Sequence, residues 1–494
     1  MPDEIELKLR VRAADLPRLR RHPALKTAQP VTRRLVSIYY DTPDLALLDA
    51  DLSLRVRRMS GQWFQAVKSA GHALAGLHQR AEWEDIIARG SPDFSKITDP
   101  ALTKIFDRPE LRAALRPIFT TDVRRTEWQL QSDDGETKIE LALDVGDLIV
   151  GEQREPICEI ELELKSGAPA HLFEFALTLL QDIPFHIENI SKAQRGYAHY
   201  RPQPPAIRRA ENIRLTRDMP PAEACRAMLR ECLAHLQGNH DAVLDGQSEG
   251  VHQMRVALRR MRSVMAMFAD FMPPADALKN EIRWLAATLG AARDLDVLLE
   301  ETLPALPESL AHPGLAHIKR RARKQAQTAR QETLAALDSQ RYQHLLLRLA
   351  AWTEGAAPAA EQKLHTHASA LLARRYRQLR KCGKREMSAE QRHALRISAK
   401  KLRYAAEFFA DLHDAKSTRR FLRRLAPLLE LLGELNDLEV TARLLDTLHD
   451  ARANPALHEA RLLIIGWRAA RNEYRLTRFE RHWKRLTRAK VFWE

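Results

Sequence analysis

The sequence predicts an α+β chain of two domains, an eight-stranded antiparallel β barrel followed by an all-α bundle with an internal duplication. Three observations predict it. Over residues 1–200, short runs of alternating polarity recur between turn-forming residues. Past Pro202, Pro204 and Pro205 the texture changes to long Ala/Leu/Arg-rich stretches. Within those stretches a block of residues recurs at a fixed offset. Strands alternate faces with period 2 and helices with period 3.6, so the halves separate on pattern alone.

The strand candidates are Glu4–Val11, Leu35–Tyr40, Ser53–Arg58, Trp63–Lys68, Glu82–Ile87, Arg125–Gln131, Thr137–Leu143 and Ile157–Leu164. Ser60-Gly61, Ser132-Asp133-Asp134-Gly135, Val145-Gly146-Asp147 and Ser166-Gly167 supply turn chemistry, while Ala13–Arg21 and Pro169–Gln181 read as helices. In the first strand Glu4, Glu6 and Lys8 share a face; in the last, Glu159, Glu161, Glu163 and Lys165 do. Like charges along one face repel unless cations or metals sit among them. Arg55 and Arg57 add two arginines at period 2, and Lys68 ends another alternating run. Arg80, Glu82 and Glu84 share a face, Glu140 and Asp144 share a parity, and Arg125 and Lys192 add further cations. A solvated outer face explains any one of these charges. For the whole set, the pattern predicts an inward-facing lumen holding water, ions and ligand, in a sheet closed to remove its edges.

Charge is divided unevenly. The 494 residues carry a net +14, yet residues 1–200 hold 27 Lys+Arg against 31 Asp+Glu, leaving 52 basic and 34 acidic residues beyond. The second half is the basic one, which points to a polyanionic partner there. Four cysteines without C-x-x-C spacing point to a reducing compartment. A charged N-terminal stretch without an apolar core argues against a secretory signal, and no run has the length of a membrane span. The expected location is the cytoplasm.

Six ordered motifs carry a resemblance. Glu4-x-Glu6-x-Lys8, Tyr39-Tyr40-Asp41-Thr42, Leu54–Arg58, His78-Gln79-Arg80-Ala81-Glu82, Pro156–Leu164 and Ser191–Tyr197 together resemble the CYTH family of triphosphate tunnel metalloenzymes, and among these the bacterial inorganic triphosphatases. The likeness covers residues 1–200. It implies an eight-stranded tunnel that threads linear triphosphate and cleaves tripolyphosphate to diphosphate and phosphate with Mg²⁺ or Mn²⁺. By the same resemblance Glu4, Glu6 and Lys8 are catalytic, and Glu4, Glu6, Asp144, Glu159, Glu161 and Glu163 are metal ligands. Lys8, Arg55, Arg57, Lys68, Arg80, Arg125, Lys192 and Arg195 line the phosphate path, with Glu82, Glu84 and Glu140 in support. The chemistry is consistent: arginine forks take phosphate oxygens bidentately, and hard divalent ions prefer carboxylate and phosphate oxygens together. Ala66 departs from the family, which commonly has threonine two residues before the lysine of this strand, and this leaves substrate preference open.

Residues 201–216 form a Pro-rich linker, and the helical domain is expected over 217–485 with repeats at about 217–350 and 359–485. His252, Arg255, Arg259, Arg260 and Arg262 recur, 141 residues on, as His393, Arg396, Lys400, Lys401 and Arg403. Downstream, Leu289-Gly290 and Arg293-Asp294 are echoed by Leu432-Gly433 and Asn436-Asp437. On a helix the first, fourth, eighth and eleventh positions of each block fall in one stripe, opposite an apolar face of Met254, Leu258, Met261 and Met265. Both stripes lack a second ligand at i+4, so zinc is not the reading. They resemble the CHAD domain, a helical module associated with inorganic polyphosphate; the likeness implies that these basic residues, with Arg293 and Tyr404 alongside, dock long phosphate chains where the repeats meet.

The leading expectation is a metal-dependent inorganic triphosphatase whose second domain binds polyphosphate. Alternatives keep the tunnel for a nucleoside or thiamine triphosphate, or for adenylate cyclase chemistry of class IV. A further alternative is a non-enzymatic polyphosphate-granule binding protein. Basic stripes without interleaved aromatics argue against nucleic acid.

Overall fold

The computed structural model describes residues 4–69, 71–356, 361–383, 387–448 and 455–494. The chain divides into two units, residues 1–205 with 338–355, and residues 206–337 with 356–494.

The first unit is one curled sheet of eleven strands: β1 (Glu4–Val11), β2 (Val31–Asp41), β3 (Leu52–Met59), β4 (Gln62–Ser69), β5 (His72–Leu74), β6 (Leu77–Arg80), β7 (Glu82–Ile87), β8 (Arg116–Gln131), β9 (Lys138–Val150), β10 (Gln153–Ser166) and β11 (Phe185–Ile187). All eight expected strands are present, and three short ones, β5, β6 and β11, are added. The order is β5-β6-β1-β10-β9-β8-β2-β3-β4-β7, with β11 also on β1. Its two ends are joined by the chain itself. β6 and β7 are one extended segment that changes partner at Ala81, β6 pairing with β1 and β7 with β4. At that switch the Ser69 N–H donates to the Ala81 carbonyl at 3.2 Å.

The turn expected at Val145-Gly146-Asp147 is instead mid-strand in β9, where Gly146 pairs with both Val123 and Ile157. A Cβ on Gly146 would lie 2.0 Å from the Asp122 carbonyl oxygen, so glycine here permits close strand approach and not a reversal. The expected helix Ala13–Arg21 contracts to a 3₁₀ turn and α1 (Leu16–Arg20), with Pro17 in its first turn.

With charges inside the curl, the apolar rows face out and need covers. Helices α2 (Ala46–Asp49), α3 (Pro100–Phe106), α4 (Pro109–Ala114), α5 (Pro169–Leu180) and α6 (Lys192–Tyr200) supply them. Leu54, Val56 and Val67 pack under Leu102, Phe106 and Leu111; Val123, Leu148 and Ile157 pack with Phe119 and Tyr197. Leu7, Leu9, Ile160 and Leu162 are fully buried on β1 and β10, which α5 crosses.

The second unit contains α7 (Pro221–Gln237), α8 (His240–Leu244), α9 (Ser248–Met267), α10 (Asp276–Asp296) and α11 (Pro313–Asp338). Next in the chain comes α12 (Gln340–Glu354), and then α13 (Leu364–Cys382), α14 (Ala389–Phe408), α15 (Ala415–Leu448), α16 (Pro455–Leu476) and α17 (Phe479–Thr487). Residues 201–216, the expected linker, carry no helix or strand. Repeats meet through α9 against α14 and α10 against α15. Among the described residues no helix is long and apolar enough to cross a membrane, and all four cysteines are free.

Helix α12 does not stay with the helices around it in sequence. It belongs to the first unit, where it packs on α5 and β11. Gln340 and Gln343 accept from the backbone N–H groups of Phe185 and Ile187 at 3.1 and 2.9 Å, and His186 Nε2 meets the Asp338 carboxylate at 2.9 Å. The outer edge of β11 is thus closed by side chains instead of by another strand. Leu345→Ala, at a fully buried α12 position, is expected to cost about 2–5 kcal/mol; urea unfolding of the full chain checks it.

Candidate active site and basic groove

The curl encloses a cavity of about 710 Å³ lined by charged side chains from β1, β3, β4, β6, β7, β8, β10 and the first turn of α6. Period-2 alternation aims Glu4, Glu6 and Lys8 into it from β1 and Arg55 and Arg57 from β3, while Lys192 enters from the start of α6, whose N-cap is Ser191. Cations and carboxylates interleave. Lys68 bridges Glu4 and Glu82 at 2.8 and 2.9 Å; Arg80 bridges Glu4 and Glu6 at 3.2 and 2.6 Å. Lys8 lies between Glu6, at 2.9 Å, and Glu161. Arg125 takes Asp144 in a two-pronged pair at 2.7 Å and also meets Glu161. Lys192 contacts Asp144 and Glu161 at 2.7 and 2.9 Å, and Glu159 as well.

These pairings set the titration behaviour. Burial opposes ionisation of Asp144, but Arg125 and Lys192 outweigh it and hold the carboxyl at about 2. Glu161 is likewise held well below its usual value, against its burial, by Lys192, Lys8 and Arg125. Glu4 and Glu6 are shifted the same way, against burial, by Lys68 and Lys8 respectively. Glu163 goes up, because burial there outweighs its 2.6 Å pair with Lys165.

Arg57 stands apart. It is lined up with the lumen, yet its one hydrogen-bond partner among the described residues is the Ser37 hydroxyl at 3.0 Å, with no carboxylate in ion-pair range. Burial and the neighbouring Arg55 and Arg125 push its guanidinium down to about 10. Arg55 pairs with Glu82 and Glu84 at 3.3 and 3.5 Å, but its Nε is buried without a hydrogen-bond partner. This wall therefore carries cationic donors in excess of acceptors.

The carboxylates of Asp144, Glu159 and Glu161 place one oxygen each within 4.8 Å of the others, all buried; of the three, Glu161 lines the cavity, while Asp144 and Glu159 lie behind its lining. Such a set of hard oxygen donors suits Mg²⁺ or Mn²⁺. Glu4 and Glu6 lie on the adjoining strand, separated from this cluster by Lys8, while Glu163 lines the cavity beside Lys165. Arg195 backs Glu159 at 3.3 Å, and Glu140 sits next to Gln129 and Lys165 outside the cavity lining.

Sequence reasoning missed several lining residues. Ser53 has the parity of Arg55 and Arg57 and was findable. Tyr39 lies opposite Arg55 in register but reads as apolar. Lys96 comes from a 3₁₀ turn, where no periodicity marks it.

In the second unit the two stripes converge. Arg255 passes over Gly290, where a Cβ would lie 2.4 Å from its Nη1, and approaches Asp294 at 4.0 Å. Arg396 repeats this beside Gly433, approaching Asp437 at 3.9 Å. His252 is half-buried and His393 exposed, its Nδ1 3.2 Å from Asn436. Burial, then Arg396 and Arg259, push Lys400 down to about 8, so cations from both repeats face one another. Arg260, beside the stripe in sequence, stacks over Phe408, 4.3 Å from its ring centre. Arg262, Arg403 and Lys401 are exposed, Arg403 pairing with Glu407 at 2.6 Å. Arg293 pairs with Glu301 at 2.7 Å.

Residues 2–197 match the CYTH domain and residues 227–446 the CHAD domain. The chain belongs to both families. Over part of its length, 165 residues, it is 37% identical to an inorganic triphosphatase of Haemophilus influenzae; this is 33% of the chain and 45% of that relative, so the chain spans under half of it. An uncharacterized protein of Mycobacterium tuberculosis is 26% identical over 421 residues, 77% of each chain. The crystal structure of the CHAD domain from the plant Ricinus communis is similar at 36% identity and a TM-score of 0.54, covering 58% of this chain and 98% of that one.

The CYTH lumen gives a stability test. Asp144 and Glu161 have folded values below their unfolded ones, so their stabilisation is complete above pH about 4 and is lost as pH falls toward about 2. Asp144→Asn leaves Arg125 and Lys192 short of a buried partner, and is expected to cost about 3–5 kcal/mol at pH 7 and to flatten the acid limb of a stability–pH profile.

Proposed function

We propose that the CYTH unit hydrolyses the terminal phosphoanhydride bond of inorganic tripolyphosphate, releasing phosphate from diphosphate, and that the CHAD unit binds inorganic polyphosphate. The observation that supports the first part is the coexistence, in one charged interior, of under-partnered guanidinium donors at Arg55 and Arg57 and a carboxylate cluster at Asp144, Glu159 and Glu161, of which Glu161 reaches the cavity. A pure anion binder would have no use for the cluster, and a pure metal site would have none for the wall.

Asp144, Glu159 and Glu161, with Glu4 and Glu6, would hold Mg²⁺ or Mn²⁺. A bound ion of this kind supplies Lewis-acid stabilisation of phosphate oxygens and a more acidic water. The chain's own residues do the rest. Arg57 and Arg55 take phosphate oxygens as forks, Lys68 and Lys8 act as point charges, and Arg80 and Arg125 orient the carboxylates they pair with. Glu163, the lumen carboxyl shifted upward, is the candidate to accept the proton of the attacking water, since a base works best when its pKa approaches the working pH. Enclosure strengthens each of these interactions relative to bulk water.

The Haemophilus relative supports the substrate class. A panel of tripolyphosphate, ATP and thiamine triphosphate, with and without EDTA, separates the candidates: tripolyphosphate should be cleaved fastest, and chelation should abolish release.

Arg57 gives the sharper test because it supports no ion pair. Arg57→Ala should reduce kcat/KM for tripolyphosphate by about 10²–10³ while leaving the melting temperature unchanged or raised. Equal losses of activity and stability would contradict its assignment to the phosphate path.

For the CHAD groove, the support is the set of mutually repelling cations with too few carboxylates. Lys400 titrates near 8, so rising pH strips charge from the groove. Polyphosphate affinity should therefore fall between pH 7 and pH 9, and Lys400→Arg should remove that fall, as binding titrations across this range would show.

A further inference from the structure

A second basic surface lies in the CHAD unit away from the groove. On the N-terminal half of α15, Lys416, Arg419 and Arg423 border a hollow of about 400 Å³. Between α15 and α17, Arg424, Arg481, Lys484, Arg485 and Arg488 border another of about 720 Å³. Lys484 pairs with Glu480 at 2.9 Å; among the described residues no carboxylate pairs with Arg423, Arg424, Arg481, Arg485 or Arg488. Along α15, Arg424 is roughly 20 Å from Asp437 of the groove, at about 1.5 Å per residue.

The internal duplication shows that the fold does not require these arginines. Carried back through the offset of 143 residues, the buried positions Phe421, Leu425, Leu428 and Leu432 correspond to Leu278, Ile282, Leu285 and Leu289, all apolar and buried. The outer positions, exposed except for the half-buried Arg424, do not follow. Arg419, Arg420, Arg423 and Arg424 correspond to Asp276, Ala277, Asn280 and Glu281. The packing face is kept in both repeats, while the outer face is more basic in the second: the first repeat carries Lys279 and Arg283 there, where the second has Leu422 and Ala426.

Charge is what this surface offers. No large apolar side chain is exposed on it among the described residues, which leaves nothing to enter a lipid surface. Phe479 and Trp483 stack on one another, 6.1 Å apart, and Trp483 packs over Gly383, which leaves no ring free to stack a base. A flexible chain of uniform negative charge fits such a surface.

We propose that the α15–α17 face is a second docking site for inorganic polyphosphate, engaged by the same long chain that occupies the groove. This rests on the groove reading. Two sites on one chain make the second contact intramolecular, which raises affinity for chains long enough to reach both and for no others.

The test uses the full chain and three probes: tripolyphosphate, polyphosphate of several tens of phosphates, and duplex DNA. The variant combines Arg419→Asp, Arg423→Asn and Arg424→Glu, which installs residues the first repeat already accepts. Long-chain binding should weaken by about 10-fold or more with a shallower salt dependence, while tripolyphosphate hydrolysis and the melting temperature stay as they were. If the variant melts early, Arg485→Gln with Arg488→Gln on α17 serves in its place, with the same expectation. Long-chain affinity unchanged in the variant, when the wild type binds polyphosphate, would overturn this site and leave the groove reading standing. No polyphosphate binding by the wild type would overturn both. Duplex DNA binding that competes with long polyphosphate and is lost in the variant would assign the face to nucleic acid and overturn the proposal.

Discussion

Charge compensation inside the curled sheet is the constraint from which the rest of the CYTH unit follows. Carboxylates on β1, β9 and β10 and cations on β3, β4, β6, β8 and α6 are buried together, and each ion taken from water costs several kcal/mol unless it finds a partner. Alternation along the strands lets Lys8 stand between Glu6 and Glu161, and Lys192 between Asp144, Glu159 and Glu161. Among the described residues the network falls short at Arg57, which has no carboxylate partner, at the Arg55 Nε, and at the Nε and Nη2 of Arg195, which are buried without a hydrogen-bond partner. Excess positive donors next to a carboxylate cluster make a lumen suited to a metal and a phosphate together.

Filling the interior with ions forces the apolar rows outward, so the sheet needs helices around it. Five of the six helices of the first 205 residues do this locally, α5 across β1 and β10 and α3 and α4 over β3 and β4. The cover over α5 comes from farther along the chain, as α12, whose glutamines also close the free edge of β11. Since β11 hydrogen-bonds to β1, the strand carrying Glu4, Glu6 and Lys8 is braced by residues more than 150 positions away. The CHAD groove follows the opposite rule. Its cations repel, with Lys400 near 8 and Arg255 and Arg396 depressed by burial. A groove of that kind favours a bare polyanion.

The sequence carried much of this arrangement because period-2 charge is hard to explain in any other way. Glu4, Glu6, Lys8, Arg55, Arg57 and Lys68 could be placed in the lumen by parity alone, and the repeat of His252 through Arg262 pointed to two facing stripes. What it hid has physical reasons. β5, β6 and β11 are three or four residues long, too short for alternation to register. Gly146 reads as a turn because a close strand crossing leaves the same residue as a reversal does. The displacement of α12 depends on which amphipathic partner its buried face meets, and periodicity does not encode that. Arg260 sits beside the stripe in sequence, yet the Phe408 ring captures it.

The proposal that Arg55 and Arg57 hold phosphate while Asp144, Glu159 and Glu161 hold a metal is tested most directly by crystals of the full chain soaked with Mn²⁺ and a non-hydrolysable triphosphate, with data collected at the manganese edge. The account predicts anomalous density against Asp144, Glu159 or Glu161 and phosphate density against Arg55 and Arg57, both inside the curl. Manganese and phosphate bound only on the outer surface, with the Lys192 and Arg125 ion pairs undisturbed, would contradict it.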